Sequence, residues 1–221
     1  IRIHIFSIAL LSLVMSGCNA EKKVWDSSAS GKHKNKKGKQ SKFAITKYNK
    51  LLKSDNSEAK YNAAINYFEK KNYTKALALF EDIISVYRGT AKAPEVQYYY
   101  AFCSYNVKDF IVAGYQFRSF VKNFPDNQHT ELCAYMNAMC YFQTSPVYSL
   151  DQEDTESAVK EFQRFVNNYP KSVYIADCNE KLDALRAKLE RKSYENAMLY
   201  YNISNYKSAI VAFSNHIKDF Q

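Results

Sequence analysis

Four histidines and five cysteines are the imidazole and thiol side chains this chain could use for acid–base, metal or sulfur chemistry. The histidines are His4, His33, His129 and His216, each far from the others in sequence. No HExxH, CxxC, GxSxG or phosphate-cradling glycine loop accompanies them. The residues therefore propose no catalytic group, no metal site and no cofactor, and the expected class is a binding protein and not an enzyme.

Cys103, Cys133, Cys140 and Cys178 could pair only where geometry allows. Cys133 and Cys140 stand seven residues apart, about 10 Å along one helix. Cys103 and Cys140 fall at equivalent positions of neighbouring repeats, where helix axes lie roughly 8–10 Å apart. A disulfide needs Cα atoms at roughly 4.4–6.8 Å. Buried free thiols are the expectation for these pairs, and Cys178 has no evident partner.

Cys18 is different, because its surroundings specify a reaction. Arg2 and His4 precede an apolar run over residues 5–15 (IFSIALLSLVM), which ends in Ser16, Gly17, Cys18. Eleven residues are too few to span a bilayer stably, and the pattern is that of a secretory signal. A cysteine directly after two small residues resembles the bacterial lipobox, with Met15 where Leu is commonest. After cleavage behind residue 17, the Cys18 thiol would carry a diacylglycerol. Each buried methylene of the acyl chains adds about 0.8 kcal/mol to membrane binding. Residue 19 is Asn, and the absence of Asp there leans towards the outer membrane. The first residue is Ile1 and not Met, so the expectation is a true start that is either missing or trimmed.

Residues 18–41 then form the expected lipidated cysteine and a Lys-rich tether, with GKHKNKKGKQ at 31–40. Such a stretch holds too little apolar surface to form a core. Contact with anionic lipid or another polyanion is its functional alternative. Residues 21–60 carry twelve Lys against four carboxylates, while residues 61–221 carry 18 basic and 18 acidic side chains. The net charge of +9 thus belongs to the tail, which argues against a nucleic-acid-binding domain.

What would position side chains in residues 42–221 is a repeat. Only five Gly and four Pro occur, which disfavours sandwiches and barrels with their many turns. Ala64, Ala101 and Ala138 step by 37, as do Ala76 and Ala113. The segments Tyr73–Ala76–Phe80, Phe110–Ala113–Phe117, Ala158–Phe162 and Tyr206–Ala209–Phe213 repeat one pattern, and Pro125 and Pro170 follow the second and third. Small residues let paired helices approach, and aromatic rings fill the gap. This is the tetratricopeptide pattern without its Trp, Leu and Gly. The expected fold is an all-α, tetratricopeptide-like solenoid of helix pairs, at about 57–84, 94–121, 130–167 and 173–218, with a further unit or cap missing at the C-terminus. The step from Ala113 to Ala158 is 45, so eight residues are inserted within TSPVYSLDQEDTES. The step from Ala138 to Ala197 is 59 and demands fourteen more, read as one long helix from Val173 to Tyr201.

Aligning the units places Tyr61, Tyr98, Tyr135 and Tyr194 at one position. Ile65, Phe102, Met139 and Met198 follow four residues later, and Phe68, Tyr105, Phe142 and Tyr201 three after that. Spacings of four and three keep each set on one helix face. The expectation is an aromatic peptide-binding groove along the first helices. The alternative is that curvature buries the stripe against the neighbouring unit.

A lipobox followed by divergent tetratricopeptide units resembles the BamD-type lipoproteins of the outer-membrane β-barrel assembly machine. Three features carry the likeness: the acidic insertion LDQEDTESAVKEF; the run NNYPKSVY with Tyr169, Pro170, Ser172 and Tyr174; and the long helix leading to KSYENAMLYY and YKSAIVAF. It covers about residues 5–221. It implies a lipid-anchored scaffold on the periplasmic face of the outer membrane. It also implies partners: BamA periplasmic domains, other assembly-machine subunits, and C-terminal segments of unfolded outer-membrane proteins. In that family the later repeats face BamA and the earlier ones face substrate. The tether is longer than the family leads one to expect, and a fifth repeat is not present. No family contact residue transfers to a position here. Competing readings are another repeat lipoprotein, such as a pilotin for a secretion or pilus system, and a cell-wall enzyme or its regulator.

Overall fold

The computed structural model describes residues 47–220. The signal, Cys18 and the tether lie outside the described residues. Among the described residues, a helical stretch over 47–52 precedes eight complete helices, and there is no strand. These helices are α1 (Ser57–Glu69), α2 (Tyr73–Ile83), α3 (Ala93–Asn106), α4 (Phe110–Asn123), α5 (Thr130–Thr144), α6 (Glu153–Asn168), α7 (Ile175–Asn202) and α8 (Tyr206–Asp219). Each packs chiefly on its neighbours in sequence, which is the solenoid arrangement.

The turns inside units one, two and four are alike. Lys71, Lys108 and Ser204 adopt φ of 57°, 68° and 61°, and Asn72, Asp109 and Asn205 follow them as N-caps of α2, α4 and α8. The Asp109 and Asn205 side chains accept the Val112 and Ser208 backbone N–H groups at 3.2 and 3.3 Å. A short polar side chain there satisfies a helix-start donor that would otherwise be orphaned. In unit three the same turn is replaced by the loop of residues 145–152.

The core is divided by unit. One cluster joins α1, α2 and α3 around Phe80, Ile83 and Val96. A second joins α3, α4 and α5 around Phe117, Phe120 and Cys133. A third joins α5, α6 and the first half of α7 around Phe162, Phe165 and Leu185. The repeat alanines Ala64, Ala101, Ala138 and Ala197 are fully buried, as close helix approach requires. The four described cysteines, Cys103, Cys133, Cys140 and Cys178, are free and buried. No described helix is long and apolar enough to cross a membrane.

Candidate functional site

The twelve aligned groove positions lie on the first helices of the four units, and they differ in exposure. Tyr61 is 8 % exposed. Ile65, Phe68, Tyr98, Phe102, Tyr105, Tyr135, Met139, Phe142 and Met198 are half-buried. Tyr194 and Tyr201 are 45 % and 54 % exposed. Each ring leans on its own unit or on the start of the next. Phe102 meets Tyr98 at 4.6 Å and Phe117 at 5.0 Å. Phe68 meets Tyr99 at 4.9 Å, and Phe142 meets Phe162 at 6.3 Å. Among the described residues no aromatic ring of one rung pairs with an aromatic ring of another unit's rung; the rungs of the first three units rest on core clusters, while Tyr194 and Tyr201 of the fourth are exposed.

A second repeated element accompanies the tyrosines. The residue just before the next unit's first helix covers the tyrosine of the unit before it. The Lys92 ammonium sits 4.8 Å from the Tyr61 ring centre, His129 lies 4.4 Å from Tyr98, and Tyr174 stacks on Tyr135 at 4.5 Å and 15°. Lys92, His129 and Tyr174 are the N-cap residues of α3, α5 and α7. The separations are 31, 31 and 39 residues, the last including the eight-residue insertion. Tyr194 has no such cover among the described residues; it meets Phe213 and His216 at 5.9 and 5.8 Å. These covering residues escape a search by residue type, because Lys, His and Tyr are unlike. The constant offset from the tyrosines is the signal that finds them.

Charge decorates this edge. Tyr135 donates its hydroxyl to Asp177 at 2.7 Å, and Lys181 donates to the same carboxylate at 3.1 Å. The Tyr135 hydroxyl holds the Asp177 carboxyl below its ordinary value against the effect of partial burial, with Lys181 adding to it. Lys92 bridges to Glu58 at 2.8 Å, and Tyr87 donates to Glu58 at 3.0 Å. Burial raises the Tyr98 hydroxyl above its usual range. Beside it a recess of about 340 Å³ is lined by Pro94, Glu95, Tyr98, Tyr99, Asn127 and His129. Half-buried rings with firm backing can anchor a peptide at small entropic cost. Among the described residues, no group of His, Cys, Asp and Glu has metal-binding geometry.

Comparison with known proteins adds an independent line. The family model described as "Outer membrane lipoprotein" (YfiO) matches residues 53–221. The "Outer membrane protein assembly factor BamD" of Rickettsia prowazekii (strain Madrid E) is 24% identical over 161 residues, 73% of this chain and 64% of the relative. That of Caulobacter vibrioides is 28% identical over 102 residues, 46% of this chain and 33% of the relative. The chain therefore spans less than two thirds of the length of either relative. Among solved structures, MamA (41-end) from Desulfovibrio magneticus RS-1 aligns with TM-score 0.41 and 14% identity, covering 75% of this chain and 95% of that one.

Proposed function

We propose a function from the family: this chain belongs to the YfiO family of outer membrane lipoproteins. It is a scaffold of outer-membrane protein assembly, held through lipidated Cys18 on the periplasmic face of the outer membrane. It binds BamA periplasmic domains and the C-terminal segments of unfolded barrel proteins. The family match across residues 53–221 is the observation that carries this reading, and relatives described as assembly factors support it.

The substrate surface is the stepped face of α3 and α5, with Tyr98 and Tyr135 as anchors and the recess beside Tyr98 as the pocket for an aromatic side chain. Its rims, Lys92 with Glu58 and Lys181 with Asp177, orient the peptide backbone and side chains. Truncating a rigid aromatic anchor costs about 2 kcal/mol or more, roughly thirtyfold in affinity. Tyr98→Ala with Tyr135→Ala is expected to weaken binding of a C-terminal barrel peptide at least that far and to leave helicity intact. Helicity is the needed control, because Tyr135 also donates to Asp177 and stacks on Tyr174. Peptide binding indifferent to both substitutions in a folded chain would falsify the groove.

A further inference from the structure

The two departures from the 37-residue repeat meet in space. One is the eight-residue insertion between α5 and α6, and the other is the fourteen-residue extension of α7. Lys188 Nζ donates to Ser145 Oγ at 2.6 Å. The Arg191 guanidinium lies 4.0 Å from the Tyr148 ring centre, and its Nη2 donates to the Tyr148 hydroxyl at 3.3 Å. Lys192 Nζ donates to the Ser149 carbonyl at 2.9 Å. Every pair is 43 residues apart, so loop and helix run alongside each other in a single register.

The loop is closed on itself before it meets α7. Gln152 is 7 % exposed, and its Nε2 donates to the Val147 and Leu150 carbonyls at 2.9 Å each. Its Oε1 accepts the Thr155 hydroxyl at 2.8 Å, and the Ser145 and Thr155 hydroxyls lie 2.6 Å apart. A loop ordered this way meets α7 without first having to be arranged.

The helix it meets is bare. Leu185 and Ala197 are buried, but no side chain from 186 to 196 is. Beyond this stretch α8 packs along α7 and has no substantial packing against another described helix. A solvated helix segment opens and bends more readily than a packed one. The contacts at 188–192 are thus the support α7 has where it leaves unit three.

We propose that residues 145–152 form a strut that fixes the direction in which the distal half of α7 and α8 leave the first three units. Lys188, Arg191 and Lys192 are its positioning residues. The inference rests on the scaffold reading for its purpose, because two docking surfaces act together only at a separation both partners can span. Exposed contacts such as those of Arg191 and Lys192 contribute little to global stability singly. Their effect is on orientation.

The test uses the full chain with Cys18→Ser and spin labels at Tyr115→Cys and Ile210→Cys, positions 68 % and 67 % exposed. The native thiols at 103, 133, 140 and 178 are buried and stay unlabelled. Double electron–electron resonance is expected to give one narrow distance. Lys188→Ala with Arg191→Ala should at least double the width of that distribution while helicity and melting temperature hold, and Arg191→Lys alone should keep it narrow. An unchanged width in the double variant, or a width already broad without it, overturns the strut. Should the double variant lose helicity, the exposed single variant Arg191→Ala is judged by the same criterion. The measurement needs no partner, so a wild-type chain that fails to bind BamA while the width still responds to the double variant counts against the scaffold and not the strut.

Discussion

Gly114→Leu tests the repeat packing where it is tightest. Gly114 is buried on α4 against α5, and a methyl group added there would sit 3.3 Å from Cys140 Cβ and 3.8 Å from Asn137 Oδ1. Optimal carbon contacts lie at about 3.5–4.0 Å. Neither Cβ can rotate away, so the two helices must separate by a few tenths of an ångström. On an open helix surface the change from Gly would instead stabilise by about 0.8–1.0 kcal/mol through helix propensity. Overpacking a closed interface costs about 1–3 kcal/mol. For Ala the two effects nearly cancel. Leu adds three further carbons to the same gap, which takes the cost to the upper end, about 3 kcal/mol. The propensity gain offsets about 1 kcal/mol of that, leaving a net loss of about 2 kcal/mol. For a domain of this size that lowers the melting temperature by about 4–8 °C. Differential scanning calorimetry of wild type, Gly114→Ala and Gly114→Leu reads the sign directly. A Leu variant that melts at or above wild type would refute the close approach of α4 and α5.

Other outcomes follow from the site and the anchor. The folded Asp177 carboxyl titrates below its ordinary value of 3.8, so its contribution is present above that value and lost as pH falls through the folded one. Asp177→Asn should therefore flatten the acid limb of a melting-temperature profile below about pH 4, and an unchanged limb would remove Tyr135–Asp177 from the stability account. Burial pushes the Cys103, Cys133 and Cys140 thiols up to about 12 and Cys178 up to about 11. Because the thiolate is the reactive form, a Cys18→Ser chain should leave an aromatic disulfide reagent unreacted at about pH 8 and consume four equivalents once unfolded. Fast native reaction would contradict the burial. Cys18→Ala should move the protein from the membrane pellet to the soluble periplasm, because the acyl chains proposed to hold it are then not attached; a variant that stays in the pellet argues against the lipid anchor.

The repeat was legible because its determinants are local. Ala64, Ala101 and Ala138 must be small wherever two helices touch, and their 37-residue step shows in the letters alone. The same arithmetic exposed the insertion before α6 and the extra length of α7, since any added residue shifts every later repeat position. Exposure of the aromatic stripe was not legible. Helical spacing puts Tyr61, Tyr98, Tyr135 and Tyr194 on one face, but whether a neighbour covers that face depends on the next unit. Tyr61 is closed by Tyr87 and Lys92, whereas Tyr194 is open. The covering residues Lys92, His129 and Tyr174 share a position and no chemistry, so only their offset from the tyrosines betrays them. The contact of Tyr148 with Arg191 joins two irregularities of the pattern, and periodicity says nothing about where irregularities meet.

The most direct test of the scaffold is capture from a detergent extract of cells carrying the tagged, lipidated full chain, followed by binding of the purified candidate. BamA is expected to be retained by the chain, and its purified periplasmic domains should bind directly. Recovery of a secretin or pilus subunit in place of BamA, or purified BamA periplasmic domains that fail to bind the folded chain, would contradict the account.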